Sequence, residues 1–289
     1  MNDFIINDRK LNKYRGKDEV LVIPDGIVNI IGFAAFKSNK RIKNVVLPNE
    51  IEFIDVDAFA GCSKLESIHI PSTVKNISFG AFYDCIKLKN IEIPGSVYSI
   101  CDNAFTGCET LENVTLSYGL IEIGAYAFSN CIKIKEILIP STTTKINYPF
   151  CYCTELENIV VEEENPCYES INGNLFTKDD KTLVQYAMGK QDKLFEIESG
   201  TITLGSYSFA GAEHLEEVIL PAGLKNINAG VFSGCKNLKK IFIPSSVENI
   251  SVDVFPQGVA IYLEANEPRE YWLDNWHRGN KVIFGAKLR

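Results

Sequence analysis

The chain has 289 residues, 46% of them hydrophobic, which is enough apolar side chain to bury a large core. Acidic residues outnumber basic ones by 37 to 29, and the net charge of −8 argues against nucleic acid or an anionic membrane surface as the main partner. No stretch reaches the ~18 consecutive apolar residues of a membrane-spanning helix, so membrane insertion is not expected.

The N-terminal run MNDFIINDRKLNKYRGK lacks the apolar stretch of about 7–15 residues that marks a signal peptide. Its Phe4–Tyr14 portion has the alternation of a hairpin and is expected to cap whatever follows (residues 1–18). From about residue 19 to 258 the chain repeats itself. Phe36, Phe59, Phe82, Phe105, Phe128, Phe150, Phe209, Phe232 and Phe255 recur in steps of 23, 23, 23, 23, 22, 59, 23 and 23 residues. A fixed period of this kind is the signature of a solenoid, whose coils each expose a face that only a neighbouring coil can bury. Function in such an array belongs to a surface.

One coil shows how the period works. Leu65, Ile68 and Ile70 have the spacing of a short strand with Ile68 and Ile70 inward and His69 outward. Pro71 cannot donate to a sheet ladder and belongs at the strand's end, as do Pro24, Pro48, Pro94, Pro140, Pro221 and Pro244. Six residues later comes a second apolar position, occupied by Ile54, Ile77, Ile100, Ile123, Ile146, Ile227 and Ile250. A small residue then precedes the ladder Phe, and three residues after it stand Cys62, Cys85, Cys108, Cys131, Cys153 and Cys235. Six of the nine cysteines at one position read as small core residues with free thiols rather than as disulfide partners.

The residue after the first Leu of each coil alternates in sign: Glu19, Lys43, Glu66, Lys89, Glu112, Lys135, Glu157, Lys193, Glu216, Lys239. Parallel neighbours lie about 4.8 Å apart, so each charge is expected to sit between two opposite ones and to mark the register.

The step of 59 equals two periods plus 13 residues. Coil seven therefore carries an insertion, near 165–190, and lacks its Phe. Tyr168–Phe176 followed by Thr177–Tyr186 reads as a β-hairpin with a polar tip at Lys178–Lys181. Beyond 258, Val259–Leu263 and Lys281–Phe284 look like two closing strands, with Trp272 and Trp276 covering the final coil as a C-terminal cap over 259–289.

Motifs such as LESIHIPSTVKNISFGAFYDC and LKNIEIPGSVYSICDNAFTGC resemble the BspA-like, or Treponema-type, leucine-rich repeats. The resemblance covers about ten coils and is specific, because Leu, Ile, Pro, Ile, Ala-Phe and Cys all fall in register. It implies one leucine-rich-repeat domain over residues 1–289, an α/β-type right-handed superhelix that is mostly β. Short turns or 3-10 segments would connect the strands, and a parallel sheet would line the concave side. It also implies a bacterial surface or secreted protein that binds host or bacterial ligands, with a hairpin insert of the kind seen here.

Catalytic patterns are missing. His69, His214 and His277 are far apart along the repeat, and neither His-Glu-x-x-His, a P-loop nor Gly-x-Ser-x-Gly occurs. Cys151-x-Cys153 has no second half for zinc, and Lys178-Asp-Asp-Lys181 lacks calcium spacing. No cofactor is expected, and the chain reads as a monomeric, non-enzymatic interaction protein for a protein or glycan ligand. A structural spacer or intracellular scaffold is the alternative reading, and a thiol-based redox module a weaker third.

The outward column of the first strand reads Val22, Val46, His69, Glu92, Thr115, Leu138, Val160, Glu196, Ile219, Phe242. Its C-terminal half is apolar where a solvent-facing column is expected to be polar. Leu138, Val160, Ile219 and Phe242, flanked by Leu194, are therefore the candidate partner-binding residues. The alternative is that such residues simply suit strands. Asn44, Asn90, Asn113 and Asn158 form the next column, either an amide ladder or a polar ligand site, the ladder being favoured.

Overall fold

The computed structural model describes residues 3–270, 272 and 276–287. Each coil holds two strands of only two to four residues, for example Ser67–Ile68 and Asn76–Ile77. Strands this short have no stability of their own. They persist because each pairs in parallel with its equivalent one period away: Val45 with Ile68, and Ile54 with Ile77. The inward residues of this coil, Leu65, Ile68, Ile70, Val74, Ile77, Ala81, Phe82 and Cys85, are all buried.

The chain divides into two compact units. The first comprises Met1–Cys153 with Val161–Pro166, the second Thr154–Val160 with Cys167–Arg289. In the first, ring centroids of Phe36, Phe59, Phe82 and Phe105 follow one another at 4.8, 5.2 and 5.0 Å with planes within 3°. The strand spacing imposes this distance, and the rings adopt the offset stack that aromatic quadrupoles favour. In the second unit Phe209, Phe232 and Phe255 stack at 5.2 and 5.9 Å, and Trp276 closes the pile edge-on at 6.1 Å from Phe255. Trp272 and Trp276 are both buried, as expected of a cap.

All nine cysteines are free thiols. Those of the repeat do more than fill space. Each S–H points to the carbonyl of the previous coil's ladder Phe: Cys62 to Phe36 at 3.2 Å, Cys85 to Phe59 at 3.3 Å, Cys235 to Phe209 at 3.2 Å. Burial pushes the Cys62 and Cys235 thiols up to about 12, far from the reactive thiolate.

No residue among those described is helical, and the 3-10 segments expected between strands are successive β-turns. The reason is local. The residues two before and two after the first eight ladder phenylalanines have positive φ, for example Asp57 (56°) and Gly61 (70°), or Asn103 (58°) and Gly107 (76°). A left-handed residue every fourth position stops any helical turn from propagating, and most of these positions hold Gly, Asn or Asp, which tolerate it.

The charge column is stacked through its backbone. N–H groups of Lys43, Glu66, Lys89 and Glu112 donate to the carbonyls of Glu19, Lys43, Glu66 and Lys89. The same ladder joins Lys193, Glu216 and Lys239. Side-chain pairs close at Lys43–Glu19 (2.6 Å) and Lys193–Glu216 (2.8 Å), with Lys239 also on Glu216.

Phe4–Asn7 and Lys10–Tyr14 form the expected hairpin, turned by Asp8 and Arg9 at positive φ. The insertion is a meander and not a single hairpin. Tyr168–Ile171, Asn174–Thr177 and Thr182–Gln185 run antiparallel in turn. The extra reversal is Asn172-Gly173 (φ 51° and 74°), a turn signal that the longer Tyr168–Phe176 segment concealed. Nor is coil seven without a ring: Tyr186 takes the Phe place and stacks on Phe209 at 5.0 Å. Its step to Phe209 is the usual 23 residues, so the period alone could have found it.

Candidate functional site

Leu194–Glu196, Glu217–Ile219, Lys240–Ile243, Ala260–Leu263 and Val282–Ile283 form one parallel five-stranded sheet in the second unit. Alternation decides what each strand presents. Val218, Ile241 and Ile261 point inward and are buried. Between them, Glu196, Ile219, Phe242, Tyr262 and Ile283 pair in register and form one column on the opposite side. Ile219, Phe242, Tyr262 and Ile283 are half-buried. The column beside it reads Leu194, Glu217, Lys240, Ala260.

Two open depressions flank the Ile219–Phe242 pair. One, of about 480 Å³, lies toward the strand starts and is lined by Glu217, Lys240, Tyr262 and Lys287 as well as the pair itself. Lys240 and Glu217 there form an ion pair at 2.8 Å. The other, of about 330 Å³, lies toward the strand ends, with Glu196, Ser199, Pro221, Pro244 and Glu264 around it. Glu264 accepts the backbone N–H of Ser245 at 2.7 Å, and that bond holds its carboxyl below the usual carboxylate range. Farther along the charge column, Lys193 and Lys239 hold Glu216 at about 2.

The five residues singled out in the sequence stand on five different strands. Ile219 and Phe242 are register neighbours, and Leu194 (51% exposed) stands on the adjoining strand. Val160 is half-buried on Asn158–Val161, a strand outside the five-stranded sheet. Leu138 is exposed on Glu136–Ile139 of the first unit. Tyr262 and Ile283 went unrecognised because the step shortens from 23 residues to 20 and 21. The signal that would have found Tyr262 is the match of Ala260-Ile-Tyr-Leu263 to Lys240-Ile-Phe-Ile243. The first unit has exposed apolar residues of its own: Val20, Val22 and Val46 on the strand side, and Phe33 and Phe79 beside the turns.

The asparagine column is a ladder at Asn90 and Asn113, whose amides bond at 2.6 Å. Asn226 and Asn249 repeat the arrangement on the second strand at 2.8 Å. His69 and His214 are exposed on separate coils, while the His277 Nδ1 accepts the N–H of Gly279.

The family model described as "BspA type Leucine rich repeat region (6 copies)" matches residues 29–157, 75–191 and 181–261. No curated protein matches the chain. Among solved structures, the pneumococcal vaccine antigen PcpA is 23% identical, with a TM-score of 0.77 over 96% of this chain and 78% of that one. A leucine rich cell surface protein of Faecalibacterium prausnitzii is 23% identical, with a TM-score of 0.66 over 98% and 93%. A leucine-rich repeat protein of Bacteroides ovatus is 26% identical, with a TM-score of 0.56 over 92% and 76%. With family-model matches running from residue 29 to 261, the chain belongs to the BspA type leucine-rich repeat family.

Proposed function

We propose that this protein is a non-enzymatic binding module of a bacterial surface, which holds a protein or glycan partner against the strand face of its second unit. The observation that carries the reading is the Ile219–Phe242–Tyr262 column, two aromatic rings and an aliphatic side chain in register on a sheet face between two depressions. Sheet faces turned to solvent favour polar residues, and an apolar strip with a polar rim is the common form of a recognition site. The surface setting draws on the names of two structural neighbours, a vaccine antigen and a cell surface protein.

Phe242→Ala tests this reading against a spacer with no ligand. Phe242 points away from the core, so the variant keeps the parent's unfolding midpoint and circular dichroism. Affinity for a partner recovered from host or bacterial extract falls by about 2 kcal/mol or more, as truncation of an aromatic anchor does. Unchanged affinity in a folded variant would remove the strand face of the second unit as the site.

A further inference from the structure

The insertion brings an amine against a primary amide. Asn174 opens the strand Asn174–Thr177 directly after the Asn172-Gly173 reversal and is fully buried. Lys190 lies just past Tyr186, and its Nζ stands 3.2 Å from Asn174 Oδ1, an atom one covalent bond from Cγ. The same oxygen accepts the backbone N–H of Ala187 at 3.0 Å. Asn174 Nδ2 is buried with no hydrogen-bond partner among the described residues. An amide retained for structure alone is expected to use its N–H groups, because a buried donor left unpaired is costly. Lys190 is held from two further sides: Nζ donates to Asn172 O and lies over the Tyr186 ring, 5.6 Å from its centroid. Burial lowers the Lys190 pKa and eases the release of its proton.

These are the parts of an acyl transfer. A desolvated lysine is a nucleophile, a backbone N–H on the carbonyl oxygen receives the negative charge that develops there, and a fixed approach replaces a chance encounter. We propose that Lys190 and Asn174 join in an intramolecular isopeptide bond. The Lys190 ammonium first gives a proton to Asp192 or Glu198, the carboxylates whose charges reach it. The Nζ lone pair then bonds to Cγ, and the carbonyl electrons move to Oδ1 beneath the Ala187 N–H. As the carbonyl re-forms, the Cγ–Nδ2 bond breaks. Nδ2 takes the stored proton and one from the attacking amine, and it leaves as ammonium. One ammonium and one primary amide become one secondary amide and one ammonium ion, so no oxidant or co-substrate is consumed. The bond clips the meander to the segment behind Tyr186, where the second stack of rings begins.

The test is the mass of the intact chain after denaturation, followed by tryptic mapping. The mass is expected to fall short of the sequence mass by one ammonia. The map is expected to hold a branched peptide in which residues 146–178 are joined to residues 182–193, with the Lys190 site uncut. Lys190→Arg and Asn174→Ala are each expected to show no loss of ammonia. A parent mass equal to that of the sequence overturns the proposal. So does a loss of ammonia that persists in Lys190→Arg. A loss that maps to a linear peptide 146–178 with Lys190 cleaved overturns it too, since Asn172-Gly173 can shed ammonia by cyclising on itself. Should either variant fail to fold, the branched peptide of the parent chain decides alone, and its absence overturns the proposal.

Discussion

The hairpin that opens the chain and the one that opens the second stack of rings are built alike and finished differently. Lys10-Leu-Asn-Lys-Tyr14 and Thr182-Leu-Val-Gln-Tyr186 share a Leu and a Tyr at the same spacing. Each is the second strand of an antiparallel pair, and each then pairs in parallel with the next coil, Leu11 with Ile31 and Leu183 with Leu204. Tyr14 and Tyr186 supply the first ring, 5.5 Å from Phe36 and 5.0 Å from Phe209. Their hydroxyls part company. Tyr14 donates to Asp18 at 2.6 Å, and burial together with that bond raises its pKa to about 12. The Tyr186 hydroxyl is buried with no hydrogen-bond partner among the described residues. Asn174 Nδ2, Gln185 Oε1 and Ser208 Oγ are buried without partners in the same unit. The second use of the device therefore carries a polar atom that it leaves unsatisfied, because Lys190 stands four residues after Tyr186 where Asp18 follows Tyr14.

The largest expected effect tests whether both stacks depend on their rings alike. Phe82→Ala in the first and Phe232→Ala in the second should each destabilise by about 3–5 kcal/mol in denaturant titrations, since both rings are fully buried. A midpoint unchanged for one of them would show that its stack does not bear on that unit's stability.

Substituting the two tyrosines sharpens the contrast, because the signs are opposite. Tyr14→Phe removes a made hydrogen bond and should lower stability by about 1 kcal/mol. Tyr186→Phe removes an orphaned hydroxyl and should leave stability equal or raise it by about 1 kcal/mol. Thermal unfolding of the two variants against the parent decides this, and a loss in Tyr186→Phe would mean that its hydroxyl has a partner in solution.

The smallest effect concerns the charge column, present in both units. Glu216 is held at about 2 by Lys193 and Lys239, below its ordinary 4.5. A depressed carboxyl contributes stability that is complete above its unfolded value and is lost as pH falls from about 4.5 toward 2. Glu216→Gln should therefore flatten the acid limb of the stability curve in that window, and an unaltered limb would refute the coupling. At neutral pH Lys43→Glu places an acid between Glu19 and Glu66 in the first unit. It should destabilise slightly, and added salt should narrow the difference because screening weakens like-charge repulsion.

Much of this architecture was legible residue by residue. Phe36 to Phe255, the inward Ile of each strand, the Cys three places after Phe and the alternating charges all follow from one period, and stacking leaves a repeated residue only one environment. Expectation failed where the period was interrupted. Asn172-Gly173 turns the chain inside a segment whose apolar pattern reads as one strand, and Tyr186 fills a ladder place that the Phe period leaves blank. Tyr262 was missed because the coil before it is three residues short. The left-handed turns were legible only in part, since Ala34, Tyr126, Tyr148 and Tyr207 take positive φ at the coil position that Gly80 holds elsewhere. There the stack, and not the residue, dictates the backbone.

The amino-acid sequence by itself determined the period, the core and the register, because each is a local pattern that parallel pairing simply copies from coil to coil. Only the tertiary structure decided which outward residues become neighbours. Phe242 meets Tyr262 through a strand pairing across a shortened coil, and Lys287 joins them from beyond the last strand. Such contacts depend on where the chain returns after a loop of irregular length. That return is set by the closure of the whole coil around its buried rings and is carried by no spacing in the sequence.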